Sequence, residues 1–188
     1  MKKKMRNMTS AICALVVISA FAARADDDLK AESKQAIANF KNADSSLATY
    51  FADSAGYAVF PSVGKGGLIV GGARGRGLVF DKGGNVIGQS MMTQANIGAQ
   101  AGGQTFAQVI FFQTPEALNN FKSGNFAFGA DISAVVAKEG EAKSAKFREG
   151  VAVFALPIKG LMVQATVGGQ KFSFQPVTME PTGRTEPK

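Results

Sequence analysis

Residues 56–80 read GYAVFPSVGKGGLIVGGARGRGLVF. Three apolar runs, Tyr57-Ala58-Val59-Phe60, Leu68-Ile69-Val70 and Leu78-Val79-Phe80, are set among glycines at 64, 66, 67, 71, 72, 75 and 77. Glycine at this density is poor for helix, and between short apolar runs it marks bulges, tight bends and close backbone approach within strands. A sheet therefore begins here. Downstream, Gln94, Asn96, Gln100, Gln104 and Gln108 hold even positions, while Ala95, Ile97, Ala99, Ala101, Ala107, Val109 and Phe111 hold odd ones. That period of two predicts one long strand, or two with a bulge near Gly102-Gly103, with one face toward water or a polar lumen.

Beyond this strand, Thr114 is placed to cap a short helix with Pro115 at its first position and Glu116 in its first turn, running to about Lys122. A strand is expected from Phe126 to Val136. Lys138 to Glu149 mixes charges every few residues and reads as a solvated loop or hairpin tip. Strands at Val151–Leu156 and Leu161–Val167 follow, then Lys171–Phe174 after the Gly168-Gly169 turn. Residues 180–188 read as a disordered tail.

Upstream, Asp26 to Ser54 is helical in pattern. Asp26, Asp27 and Asp28 suit a helix amino end. Leu29, Ala36, Phe40, Leu47 and Phe51 fall near one face, with Lys30, Lys34 and Lys41 along its edge, and a break near Asn42 to Ser46 places Asp44 or Ser45 as cap of a second helix. Two readings stand side by side. Either the apolar face packs on the sheet, or it docks on a membrane with Phe40 and Phe51 inward and the lysines reaching for phosphates.

The chain has 188 residues, 46% hydrophobic, with a formal net charge of +7. That hydrophobic content excludes a disordered polyelectrolyte. Lys2, Lys3, Lys4 and Arg6, then the apolar run from Ala11 to Phe21, then Ala23-Arg24-Ala25 form the pattern of a secretory signal peptide cut after Ala25. Cys13 sits inside the apolar run behind Ile12, so no lipobox is formed. Five of the 21 basic residues lie in this leader, leaving 16 against 14 acidic ones and a net charge of +2 from Asp26 onward. Basicity is thus mostly an export signal, and a nucleic-acid partner loses its support. The expectation is an exported, periplasmic protein with no transmembrane helix and one domain over residues 26–179.

Histidine is absent and the single cysteine lies in the leader. This excludes a Ser-His-Asp triad, a Cys-His pair and the usual zinc or haem ligand sets. No phosphate-loop spacing occurs, and Gly75-Arg76-Gly77 is followed by Phe80 where a dinucleotide fingerprint needs glycine. No pair of carboxylates stands out for acid–base work. The expectation is a protein that is not an enzyme and carries no cofactor or metal. What the glycine segment offers is cationic: Lys65, Arg74, Arg76 and Lys82. Arg74 and Arg76 share one strand face, and a guanidinium takes a phosphate in two hydrogen bonds. They form either an ordinary charged strand face or an anionic-headgroup site, with the glycines letting lipid approach the backbone. An outer-membrane barrel fits less well, for there is no Trp and only two Tyr to build aromatic girdles.

The run from Gly56 to Gly67, continuing through Gly71-Gly72-Ala73-Arg74-Gly75-Arg76-Gly77, resembles the signature of the SYLF family. The resemblance extends through Ile97 to Gln104, Gly129-Ala130-Asp131-Ile132-Ser133 and Lys159-Gly160-Leu161-Met162-Val163. It implies an α+β domain with a curved, barrel-like antiparallel sheet, an N-terminal helical segment and a short helix packed on the sheet. It also implies binding of phospholipid or phosphoinositide headgroups, with no catalytic residues. Eukaryotic members bind actin, a partner not expected for an exported protein. A Gly-Pro-x-Gly-Arg element of the family stands here as Lys138-Glu139-Gly140-Glu141. The competing reading is a structural or interaction protein of the cell envelope that binds a protein partner.

Overall fold

The apolar stripe of the N-terminal segment decides how the sheet is covered. In the computed structural model, which describes residues 25–66, 70–97, 104–124, 126–129, 132–159 and 167–177, helix α1 spans 25–43 and α2 spans Leu47–Asp53. Leu29, Ala36, Phe40, Leu47 and Phe51 are all buried, in one cluster with Tyr57, Val59, Leu78, Phe80, Val109, Phe111 and Phe154 of the sheet. Phe40 has no exposed surface and Phe51 has 8%. Of the two readings of the helix, packing on the sheet is the one these side chains adopt. The signal-peptide segment, the bulge expected near Gly102-Gly103, nearly all of the strand expected over Leu161–Val167 and the tail over 180–188 lie outside the described residues.

The protein is α+β, and its described residues form eight strands curled into a half-barrel. They are β1 (Gly56–Gly66), β2 (Val70–Asp81), β3 (Val86–Ile97), β4 (Gln104–Phe112), β5 (Phe126–Ala127), β6 (Val135–Val136), β7 (Val151–Lys159) and β8 (Lys171–Pro176), and helix α3 spans Pro115–Lys122. The order across the sheet is β5-β8-β3-β2-β1-β4-β7-β6. Neighbours are antiparallel except β6 and β7, which are parallel, so the sheet is mixed rather than purely antiparallel. The alternating segment forms two strands, β3 and β4, which are separated by β2 and β1. Of the strand expected from Phe126 to Val136, the described residues form two dipeptide strands at opposite edges of the sheet.

Both faces of the sheet are covered. One carries α1 and α2. The other carries α3 over Phe60, Val63, Ile110, Phe112, Val153 and Phe172. Thr114 accepts a hydrogen bond from the Ala117 amide at 3.3 Å and Pro115 opens α3, as expected from sequence. In β4 the polar alternation does not mark a face toward water. Gln108 points into the second core with no exposed surface, because Gln170, ahead of β8, lies against it on this face. Its amide exchanges hydrogen bonds with Gln170 at 2.8 and 3.1 Å, so a polar side chain is accommodated by pairing.

The glycines shape this coil. β1 shifts register between Val59 and Ser62, around Pro61, as a bulge that sharpens the local twist. Opposite it on β2, a Cβ on Gly77 would lie 2.5 Å from the Val59 carbonyl oxygen and 2.6 Å from the Phe60 ring, and one on Gly75 would lie 2.8 Å from Val63. These glycines admit the neighbouring strand's own side chains; the space is already filled by protein.

The charged stretch after β6 also departs from expectation. It contains a short 3-10 turn, Glu141–Lys143, and docks on the α1–α2 connection. Asp44, fully buried, accepts from the Ala142 amide at 2.8 Å and from the Ser46 amide at 3.0 Å. Ser45 donates to Glu139 at 2.8 Å, and Tyr50 donates to the Ala145 carbonyl at 2.8 Å. Ser46 is the cap residue of α2, and Asp44 instead ties the two segments together. Lys138-Glu139-Gly140-Glu141, where the family element departs, is the start of this tie.

Candidate anion-binding site

Arg74 and Arg76 lie two apart on β2, on the face that carries α1, and both are exposed. The register places Arg76 beside Ser62 of β1 and Met91 of β3, and Arg74 beside Gly64 of β1 and Thr93 of β3. Thr93 in turn faces Lys171 of β8. Strand alternation puts paired residues on the same face, so Gly64, Arg74, Thr93 and Lys171 form a transverse row over four neighbouring strands.

The two arginines differ in what faces them. Arg76 Nη2 lies 3.5 Å from Asp26 Oδ1 and 3.4 Å from Gln89 Oε1, and Gln89 Nε2 donates to the same Asp26 oxygen at 3.0 Å. The groove beside it is lined by Asp28 and Glu32 of α1. Carboxylates at the amino end of α1, favoured there by the helix dipole, therefore balance this arginine. No carboxylate among the described residues pairs with Arg74. On its other side opens a depression of about 760 Å³ with Gly64, Gly72 and Ala95 in its floor and Arg74, Thr93 and Lys171 around it. A Cβ on Gly64 would meet nothing within 4 Å.

The remaining sequence candidates do not join this pair. Lys82 lies in the β2–β3 turn, roughly 25 Å from Arg74 at about 3.3 Å per strand residue. The backbone of Lys65 pairs with Ala73 and Gln104, and its side chain is outside the described residues. Lys30, Lys34 and Lys41 are exposed on α1; Lys30 is 3.6 Å from Asp27, and the Lys41 ammonium sits 4.9 Å from the centre of the Phe51 ring. Lys171 and Asp26 were missed as site residues because their positions depend on strand register and helix docking. The alternation Lys171-Phe172-Ser173-Phe174 was the available signal that Lys171 points away from the Phe172 core.

Among the described residues four groups have displaced pKa values. Burial opposes ionisation of Asp44, but hydrogen bonds from Ser46, Ala142 and Gly140 outweigh it and hold the carboxyl below its ordinary value. Hydrogen bonds from Asn85, Gly83 and Gly84 likewise lower Asp81. Burial raises the Tyr50 phenol, and burial together with Asp81 raises that of Tyr57. Among the described residues no group of three or more His, Cys, Asp or Glu could hold a metal ion, and no helix is long and apolar enough to cross a membrane.

A curled mixed sheet with helices on both faces and an exposed cationic row defines a domain of the α+β class. Residues 93–177, from the middle of β3 through β8, match the family model described as Ysc84, Las17-binding protein actin regulator. The chain is also similar to beta cell expansion factor A of Aeromonas veronii, with 28% identity over 117 residues, 62% of this chain and 44% of that protein. It thus spans less than half of that relative's length. What is similar to the Ysc84 (SYLF) family is thus the stretch 93–177. The matched region includes Thr93 and Lys171, and the glycine segment with Arg74 and Arg76 precedes it.

Proposed function

We propose that this protein is a non-enzymatic phospholipid-binding module of the bacterial periplasm or cell envelope, contacting anionic headgroups through the basic, glycine-rich face of β1 to β3. The observation that carries the reading is Arg74: an exposed guanidinium without a carboxylate partner among the described residues, beside a depression floored by glycine and alanine. A guanidinium so placed offers its full fork to a phosphate, and a floor lacking side chains lets that phosphate reach it. The match of residues 93–177 to the Ysc84 (SYLF) family model supports the same reading. Actin is not part of the proposal, since an exported protein would not meet it.

Sedimentation of the protein from Asp26 onward with phosphatidylglycerol vesicles, at low and high salt, tests this. Binding should fall steeply between physiological ionic strength, where screening acts over about 8 Å, and molar salt, where it acts over about 3 Å. Equal binding to neutral phosphatidylcholine vesicles would sink it. A second reading, an envelope protein with a protein partner, is favoured by one feature: β7 extends past its pairing with β6 and carries Ile158, which is 49% exposed. That reading calls for partner recovery without vesicle binding.

A further inference from the structure

We infer that the ligand-gripping set on this face is Arg74, Thr93 and Lys171, a site for a terminal phosphate dianion, and that Arg76 is excluded from it. The inference rests on the reading above and assigns its chemistry. Three neighbouring strands supply the set: Arg74 from β2, Thr93 opposite it on β3, and Lys171 opposite Thr93 on β8. At about 4.8 Å between strands, the two cations start about 10 Å apart with a hydroxyl midway. Both side chains are long enough to close on a group seated over Thr93. Arginine provides a planar two-pronged donor, lysine a point charge and threonine a single hydroxyl donor.

Charge decides between the two hollows that flank Arg74. The one toward α1 holds Arg76, but also Asp28 and Glu32, with Asp26 on Arg76 itself. An anion entering there meets carboxylates at close range. The other is lined by Arg74 and Lys171 with no carboxylate among the described residues of its wall, and Gly64, Gly72 and Gly169 leave it recessed. Two cations and a hydroxyl suit a phosphate monoester, with a charge of about −1.5 to −2, better than a diester that carries a single charge. The same chemistry is presented by a phosphatidic acid headgroup and by a small free phosphate ester.

The test compares Arg74→Gln, Lys171→Gln, Arg76→Gln and Lys82→Gln with the parent protein, each first shown by its thermal midpoint to be folded. Phosphatidylcholine vesicles doped with phosphatidic acid serve as one probe and glycerol phosphate, followed by backbone amide shifts, as the other. Arg74→Gln and Lys171→Gln should each weaken vesicle binding about tenfold, as loss of one charge-assisted hydrogen bond does, and Arg76→Gln and Lys82→Gln by less than about threefold. Tighter binding to phosphatidic acid than to phosphatidylglycerol is also expected. Parental binding by Lys171→Gln, or a loss in Arg76→Gln equal to that in Arg74→Gln, overturns the assignment and leaves membrane binding standing. If the parent protein binds no vesicle, the membrane reading fails; shifts at Thr93 and Lys171 with glycerol phosphate then uphold the site, and their absence overturns it as well.

Discussion

The carboxylate of Asp44 accepts the backbone amide hydrogen of Ala142 at 2.8 Å, across 98 residues of chain. This bond, with those from Ser46, fixes the α1–α2 connection to the segment that follows β6. Asp44→Ala leaves the Ala142 amide without its partner and should cost about 1–3 kcal/mol, read as a lower urea midpoint with unchanged slope. Because the folded-state pKa lies below the ordinary 3.8, the contribution is complete above that value and disappears as pH falls through the lower folded one. Acid should therefore release the 137–147 segment, seen as faster amide exchange there, before the sheet unfolds. Release at neutral pH would contradict this.

Glycines 77 and 64 should respond oppositely to alanine. At Gly77 the new methyl meets the Val59 carbonyl and the Phe60 ring, and a loss of about 1–3 kcal/mol is expected. At Gly64 there is open space, so stability should hold or rise by up to about 1 kcal/mol. The Gly64 methyl also enters the depression beside Arg74, so vesicle binding should weaken while the melting temperature does not fall.

Gln108 and Gln170, both without exposed surface, are suited to a double-mutant cycle. Gln108→Leu alone strands the Gln170 amide and should cost about 1–3 kcal/mol. Changing both to Leu should restore much of that loss, since neither polar group is then left unpaired. Simple additivity in chemical denaturation would show that their reciprocal bonds carry no coupling.

Arg76 and Asp26 are each close to half exposed, at 48% and 45% of their side-chain surface. Such a pair contributes little to stability, about 0.2–1 kcal/mol and less in high salt. Asp26→Asn should scarcely move the melting temperature. It removes the carboxylate on Arg76, however, and with one negative charge fewer on this face anionic vesicle binding at low salt should increase modestly.

Much of this architecture is written in local patterns. Leu29, Ala36, Phe40, Leu47 and Phe51 announce one buried face because helical spacing is a property of the segment itself. Thr114 and Pro115 announce α3 for the same reason. Gln108 reads as facing water or a polar lumen, and it is buried against Gln170, because a period of two reports alternation and does not say which face the chain will cover. Arg74 and Arg76 were legible as a pair, since two residues apart on a strand means one face. Their unequal surroundings were not, because Asp26 and Lys171 reach them only through helix docking and strand register.

The order of strands governs when this domain is complete. β1, β2 and β3 form a local meander, but the far side of β3 is satisfied by β8, as in the Ser90 to Ser173 contact spanning 83 residues. Until residues 171–176 arrive, the edge of β3 over Gly88–Thr93 presents unpaired amides and carbonyls to any passing strand. Pairings so distant in sequence also form slowly. A chain cut short before Lys171 would lose a wall of the depression beside Arg74 and keep an adhesive edge, so truncation should be read out first as self-association.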